Sequence, residues 1–385
     1  MDRRAFLNLS GSVALATLLP ERSFAAAPDY GRLLVLVELK GGNDGLNTVV
    51  PFADAEYYRL RPHLAIAREQ VMQLSDSVGL HPALAPLMPV WQAQRLAIVQ
   101  GLGYPQPNLS HFRSIEIWET ASRSDQYLDD GWLTRAFRRS PVPASFAADG
   151  VVIGSHDAGP LAGGARAIAL ADRERFLRQA RLATDEGSTA NPALAHVLKV
   201  EADVAHAAAK LSGSTPYAFR TQFPAGPVGD AIHTAADIVA SRAGVAVIRL
   251  SLPGFDTHHG QPGTQANLLG QLAAGLVALK SALEELDAWN DALVMTYAEF
   301  GRRPRENQSN GTDHGTASVH FALGGRVRGG FYGEAPRLDR LDGDGNLGFA
   351  VDFRRLYATV LARWWCVDAE PVVGRGFTPL DFIAS

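Results

Sequence analysis

Asp313 and His314 stand side by side in the run Gly311-Thr312-Asp313-His314-Gly315. A carboxylate followed directly by an imidazole offers one metal ion an oxygen and a nitrogen ligand from adjacent positions. Three other stretches have the same character: Gly41-Gly42-Asn43-Asp44-Gly45, Asn108-Leu109-Ser110-His111-Phe112 and Phe255-Asp256-Thr257-His258-His259. Asp256 and His258 are two residues apart, so an extended backbone points both to one side and His259 to the other. Asp44 follows two glycines that permit a sharp turn and a close backbone approach. Ordinary turn composition is the competing reading for Asp44. His320 faces the same region from the start of the next apolar run, or else is a buried histidine bonded to a backbone carbonyl. Four such clusters suggest one assembled site, most simply that of a metal-assisted hydrolase. Zinc is the first choice of divalent metal, because it accepts mixed carboxylate and imidazole ligands. Calcium, magnesium and manganese are the alternatives, the first two preferring oxygen-rich sites.

Ser110 supplies a hydroxyl where a helix is expected to begin. Beside a metal its proton is easier to remove, which makes it the candidate nucleophile. A plain N-cap is the competing reading. Asn108 and His111 flank it as candidate substrate-binding residues. Arg302, in Glu299-Phe300-Gly301-Arg302, is the candidate guanidinium for a phosphate or sulfate oxyanion. Glu299 is placed to orient a ligating histidine from behind.

These clusters need elements that carry them to one place. The run from Arg32 to Leu39 is almost continuously apolar, as a strand covered on both faces requires. Further strands are expected over 95–100, 245–250, 292–297 and 319–323. Helices are expected over 83–94, 110–122, 193–211, 228–241, 265–286 and 352–365, with Pro192 at the tolerated helix start. Alternation of this kind implies an α/β fold with a mostly parallel sheet. Each polar cluster follows or adjoins a strand, so the clusters share the edge where ligands bind in such sheets. One domain over 26–385 is expected, with a cap or insertion around 123–225.

The N-terminus reads as an export signal. Arg3-Arg4 precedes Phe6-Leu7 and a modest apolar run, and Ser23 and Ala25 fit a small-x-small cleavage site after Ala25. Residues 1–25 are therefore expected to engage the twin-arginine export machinery and to leave a periplasmic or secreted protein. No later run reads as a membrane span. Cys366 is the single cysteine, so no intramolecular disulfide exists. The chain's formal net charge is −4. Residues 1–25 carry three arginines against two acids, which leaves the mature chain at about −5. That balance argues against a nucleic-acid surface.

Together these motifs, with Gly324-Gly325, Gly329-Gly330 and Asp352-Phe353-Arg354-Arg355-Leu356-Tyr357, resemble the exported bacterial proteins grouped as domain of unknown function 1501. The resemblance covers nearly the whole mature chain. That family is similar in fold to the alkaline phosphatase and sulfatase superfamily, which implies a three-layer sandwich with a mostly parallel central sheet flanked by helices. It also implies roles. Asp44, Asp313 and His314 would bind one ion, Asp256, His258 and His320 a second, and Ser110 would take up the phosphoryl or sulfuryl group. Two spacings depart from the superfamily pattern: Asp256 lies closer to His258, and His320 closer to His314.

The resulting expectation is an exported hydrolase of phosphate or sulfate esters, acting on a small molecule or a polysaccharide. A non-catalytic periplasmic binding protein on the same fold is the alternative. An oxidoreductase ranks below both, since the sequence carries no nucleotide fingerprint or haem motif.

Overall fold

The computed structural model describes residues 28–181, 189–213 and 216–384. The expected signal, residues 1–25, lies outside them. Strand β1 (Leu33–Lys40) runs down the middle of a nine-stranded sheet. The others used below are β2 (Leu96–Gly103), β3 (Ala148–Ile153), β4 (Ala167–Leu170), β5 (Val245–Pro253), β6 (Ala292–Tyr297), β7 (Ser318–Leu323) and β8 (Gly330–Gly333). Their spatial order is β8-β2-β7-β6-β1-β5-β3-β4, with Val351–Asp352 also pairing to β2. Every pairing is parallel except those of β7, which runs antiparallel to β2 and β6.

Alternation of side chains along β1 explains the layers. Val35, Val37 and Leu39 join one apolar cluster, and Leu34 and Leu36 join another. Successive strand side chains point to opposite faces, so a continuous apolar run is what a sheet buried on both sides needs. Six helices matter here: α1 (His111–Thr120), α2 (Trp132–Arg139), α3 (Pro192–Ser212), α4 (Pro227–Ala240), α5 (Gln261–Glu285) and α6 (Arg354–Thr359). Helices α3, α4 and α5 send Leu211, Ile232, Leu269 and Leu276 into the first cluster. Helices α1, α2 and α6 send Trp118, Trp132 and Tyr357 into the second. The Trp132 and Tyr357 rings stack at 4.4 Å, a pairing worth roughly 1 kcal/mol beyond its burial. The result is a three-layer α/β sandwich with a mostly parallel central sheet.

Two expectations change. The segment around 123–225 is not set apart as a cap: β3 and β4 extend the central sheet from it, and Leu211 of α3 packs into the core. Their alternation was obscured because β3 opens with Ala148-Asp149-Gly150. In addition, α5 is long and apolar enough to cross a membrane by length and composition, although the sequence reading found no such run. It lies on the sheet with Leu272, Leu279 and Leu283 buried.

The carboxyl ends of β1, β2, β5 and β6 and the start of antiparallel β7 fall at one edge. Beneath that edge lies a charged network. Arg249 on β5 donates to Glu38 at 3.0 Å, to Glu119 at 2.8 Å and to the Tyr297 hydroxyl at 2.8 Å. All four side chains are buried. One guanidinium thus faces two carboxyl groups. Burial pushes Glu119 up to about 8, with Arg249 offsetting part of the rise. Because the folded-state pKa exceeds the unfolded one, the protonated acid favours the native state. That stability is complete below about pH 4.5 and is lost as pH rises through about 8. Glu119→Gln is expected to flatten this part of the pH dependence, on the order of a few kcal/mol. Urea midpoints at pH 5 and pH 8.5 check it, and an unchanged slope in the variant would refute the assignment.

Candidate metal centre

Four loops reach the functional edge, and tight glycine contacts join them. Gly41 has φ +118°, and a Cβ there would lie 2.3 Å from the Asp256 nitrogen. A Cβ on Gly311 would lie 2.3 Å from the His258 carbonyl carbon. Only glycine lets these backbones approach so closely. The short ribbon Arg302–Glu306 with Thr312–His314 brings the Asp-His pair in beside β5.

Asp256, His258 and His314 meet there. His258 Nε2 lies 3.0 Å from His314 Nε2 and 3.1 Å from Asp256 Oδ1. His314 Nε2 lies 3.2 Å from the same oxygen. His111, at the first turn of α1, places Nε2 3.4 Å from Asp256 Oδ2. His111, Asp256 and His314 each bring a ligand atom within 4.8 Å of the others.

The opposite ring nitrogens are all engaged. His111 Nδ1 lies 2.8 Å from Glu299 Oε1, His258 Nδ1 3.1 Å from Asp313 Oδ1, and His314 Nδ1 2.8 Å from the Leu109 carbonyl. A carbonyl or a carboxylate only accepts, so each Nδ1 carries the hydrogen. Nε2 is then the nitrogen that each ring turns toward Asp256. Burial, first, holds His314 below its ordinary pKa, which keeps that ring neutral. Ring nitrogens and a carboxylate oxygen gathered this closely would attract a cation placed among them. Zinc binds such donors at about 2.0–2.2 Å, which sets them roughly 3.3 Å apart around one tetrahedral ion. His111, Asp256 and His314 together offer a possible site for a metal ion.

Asp256 stays ionised. Burial works to raise its pKa, but the hydrogen bond and charge of Arg302, aided by His314, hold it at about 2. Arg302 donates to Asp256 Oδ1 at 2.5 Å, to Gly42 O at 2.7 Å and to Thr312 O at 2.9 Å. It also bonds the Gly41 and Phe255 carbonyls.

The other expected site residues fall in different places. Asp313 accepts from Asn307 and from His258 Nδ1, so it orients an imidazole from behind rather than joining the converging donors. Arg302 is fully enclosed and its guanidinium is occupied by the loops, so it does not face a substrate as expected. Asp44 forms a buried ion pair with Arg61, at 2.6 and 2.9 Å, and accepts from Gln261. Its carboxylate is taken up by those partners rather than by the expected metal. His320 is buried on β7 with Nδ1 3.4 Å from Thr296 Oγ1, packs edge-on against Trp118, and is pushed down to about 3 by burial alone. It belongs to the core and not to the cluster, because β7 carries it inward beneath the edge.

Ser110 is exposed, and its hydroxyl makes no capping bond to α1. The residues on both sides of it, Leu109 and His111, touch the imidazole cluster. Asn108 accepts from the Ser110 N–H at 2.9 Å and so fixes that turn. His111, expected to bind substrate, stands among the converging donors instead. Its position beside Ser110 was visible in the sequence; its distance from Asp256 was not.

The chain belongs to the family described as "Protein of unknown function (DUF1501)", whose model matches residues 32–373. No curated protein matches the sequence. Among solved structures it is similar to a protein in the alkaline phosphatase superfamily from Vibrio parahaemolyticus, at 12% identity and TM-score 0.44, over 97% of this chain and 78% of that one. It is also similar to the phosphonate monoester hydrolase of Agrobacterium radiobacter, at 10% identity and TM-score 0.41, over 91% and 79%. A third is the C-terminal periplasmic domain of EcEptC from Escherichia coli in complex with Zn, at 9% identity and TM-score 0.37, over 77% and 74%.

Proposed function

We propose that this member of the DUF1501 family is an exported, metal-dependent hydrolase of phosphate or sulfate esters. One observation carries the reading: three imidazoles, each tied through Nδ1 to an oxygen acceptor, aim Nε2 at a single ionised aspartate. Such backing from behind is how proteins orient histidines toward a metal. His111, His258, His314 and Asp256 would hold the ion, and nitrogen-rich ligation favours zinc over calcium or magnesium. When bound, the ion supplies Lewis acidity for an ester oxygen.

The chain's own groups do the rest. Ser110 Oγ bonds to the phosphorus or sulfur and gives up its hydroxyl proton as the ester's bond to the leaving oxygen breaks, and that oxygen leaves as the alcohol carrying the proton. Water then releases the anion from Ser110. The backbone N–H groups at the start of α1 favour an anion at this position. Arg302 keeps Asp256 charged and in place. The centre is open to solvent, with the Asp256 side chain 45% exposed, so a substrate approaches without a lid moving.

Elemental analysis of the purified protein together with a panel of phosphate and sulfate esters tests the proposal. About one zinc per chain is expected, with turnover that chelation abolishes and zinc restores. Absence of bound transition metal, or turnover indifferent to chelation, would sink it.

A further inference from the structure

A cavity of about 460 Å³ opens beside residues 45–49, at the start of β7 and under the 334–350 segment. None of the four converging donors lines it. Its size is that of a small-molecule site, for which about 300–1,000 Å³ is usual. Leu46, Val319 and Leu347 form apolar walls, all buried in the protein, and Phe349 stands at the mouth, 41% exposed. Gln100, only 7% exposed, lines the wall from β2. The cations differ in their pairing. Arg337 is held by Asp339 through two nitrogens, whereas Arg340 bonds only through its backbone N–H, to the Arg337 carbonyl, and its side chain makes no hydrogen bond among the described residues. Glu334 adds one carboxylate to the same wall, which disfavours a multiply charged anion.

From this lining we infer a second small-molecule site, distinct from the imidazole centre, for an amphipathic monoanion. Its compact apolar body would fill the space between Leu46 and Leu347, and its single charged group would meet Arg340. The site shares structure with the metal centre. Arg302 borders both, and Ser318 in the cavity wall bonds the Asn43 carbonyl of the loop after β1. An occupant would therefore stiffen the loop that Arg302 grips.

Gly348 offers a clean probe. Gly348 lines the cavity and a Cβ there meets no atom within 4 Å, so a tryptophan at this position starts from open space and is expected to occlude the mouth. Arg340 is exposed, so neither change burdens the fold. The test is calorimetric titration of the purified protein with 2-naphthalenesulfonate, an apolar bicycle bearing one anionic group. Saturable binding at one site is expected, with Kd of roughly 100 µM for a ligand of that size. Gly348→Trp should abolish it, and Arg340→Ala should weaken it about tenfold. No saturation up to about 5 mM, or equal binding by the parent and both variants, would overturn the proposal whatever the metal centre does.

Discussion

His314→Ala is expected to lose the bound metal and, with it, at least about 10³-fold of esterase activity, some 4 kcal/mol of barrier. Ser110→Ala is expected to lose a similar factor while keeping the metal. The contrast follows from geometry. His314 Nε2 is the donor that touches both His258 Nε2 and Asp256 Oδ1, so removing it opens the triangle at a corner. The Ser110 hydroxyl makes no capping bond, and the backbone around it already supplies the contacts that reach the cluster. Under the proposed function, its removal deletes the nucleophile and leaves the donors alone. Metal content by elemental analysis, read beside steady-state hydrolysis, separates the two. Stoichiometric metal in His314→Ala would show that the ion sits elsewhere. Undiminished turnover in Ser110→Ala would transfer the nucleophile's role to another group.

Much of this centre was legible in the sequence because it is local. Asp256 and His258 share a side at spacing two, and the Asp-His pair announces itself. Strand ends explain why the clusters gather: parallel strands deliver their following loops to one edge, whatever the intervening chain does. What stayed hidden depends on distant partners. Nothing near Asp44 shows that Arg61 will arrive beside it. Nothing near Arg302 shows that five carbonyl and carboxylate oxygens will enclose it. His320 illustrates a further limit. Its position relative to His314 suggested a ligand, but the antiparallel turn into β7 carries it beneath the edge, against Trp118. The network of Glu38, Glu119, Arg249 and Tyr297 escaped for the same reason, since its members come from four elements. Strand β3 and the edge strand β4 escaped because their alanines and glycine mute the apolar pattern.

Asp44 gives the sharpest test of the difference between a ligand and a structural acid. Asp44→Asn is expected to retain the metal yet destabilise the protein by roughly 3–5 kcal/mol, the cost of leaving a buried guanidinium without its counter-charge. Arg61 has no exposed side-chain surface, and its remaining side-chain hydrogen bonds are to Asn47 and to the Pro304 and Arg303 carbonyls. Those neutral acceptors do not balance a full positive charge. Had Asp44 been a ligand, its amide would lower metal content first and stability only through the lost ion. The double variant Asp44→Asn with Arg61→Met removes both charges together. It should recover part of the lost stability, because replacing a whole buried pair by neutral groups of similar volume is far milder than breaking one. Urea midpoints and metal content, measured on the same preparations, decide the matter. A metal-free Asp44→Asn protein with an unshifted apo-state midpoint would return this carboxylate to the centre and leave the ion pair with Arg61 as a feature of minor weight.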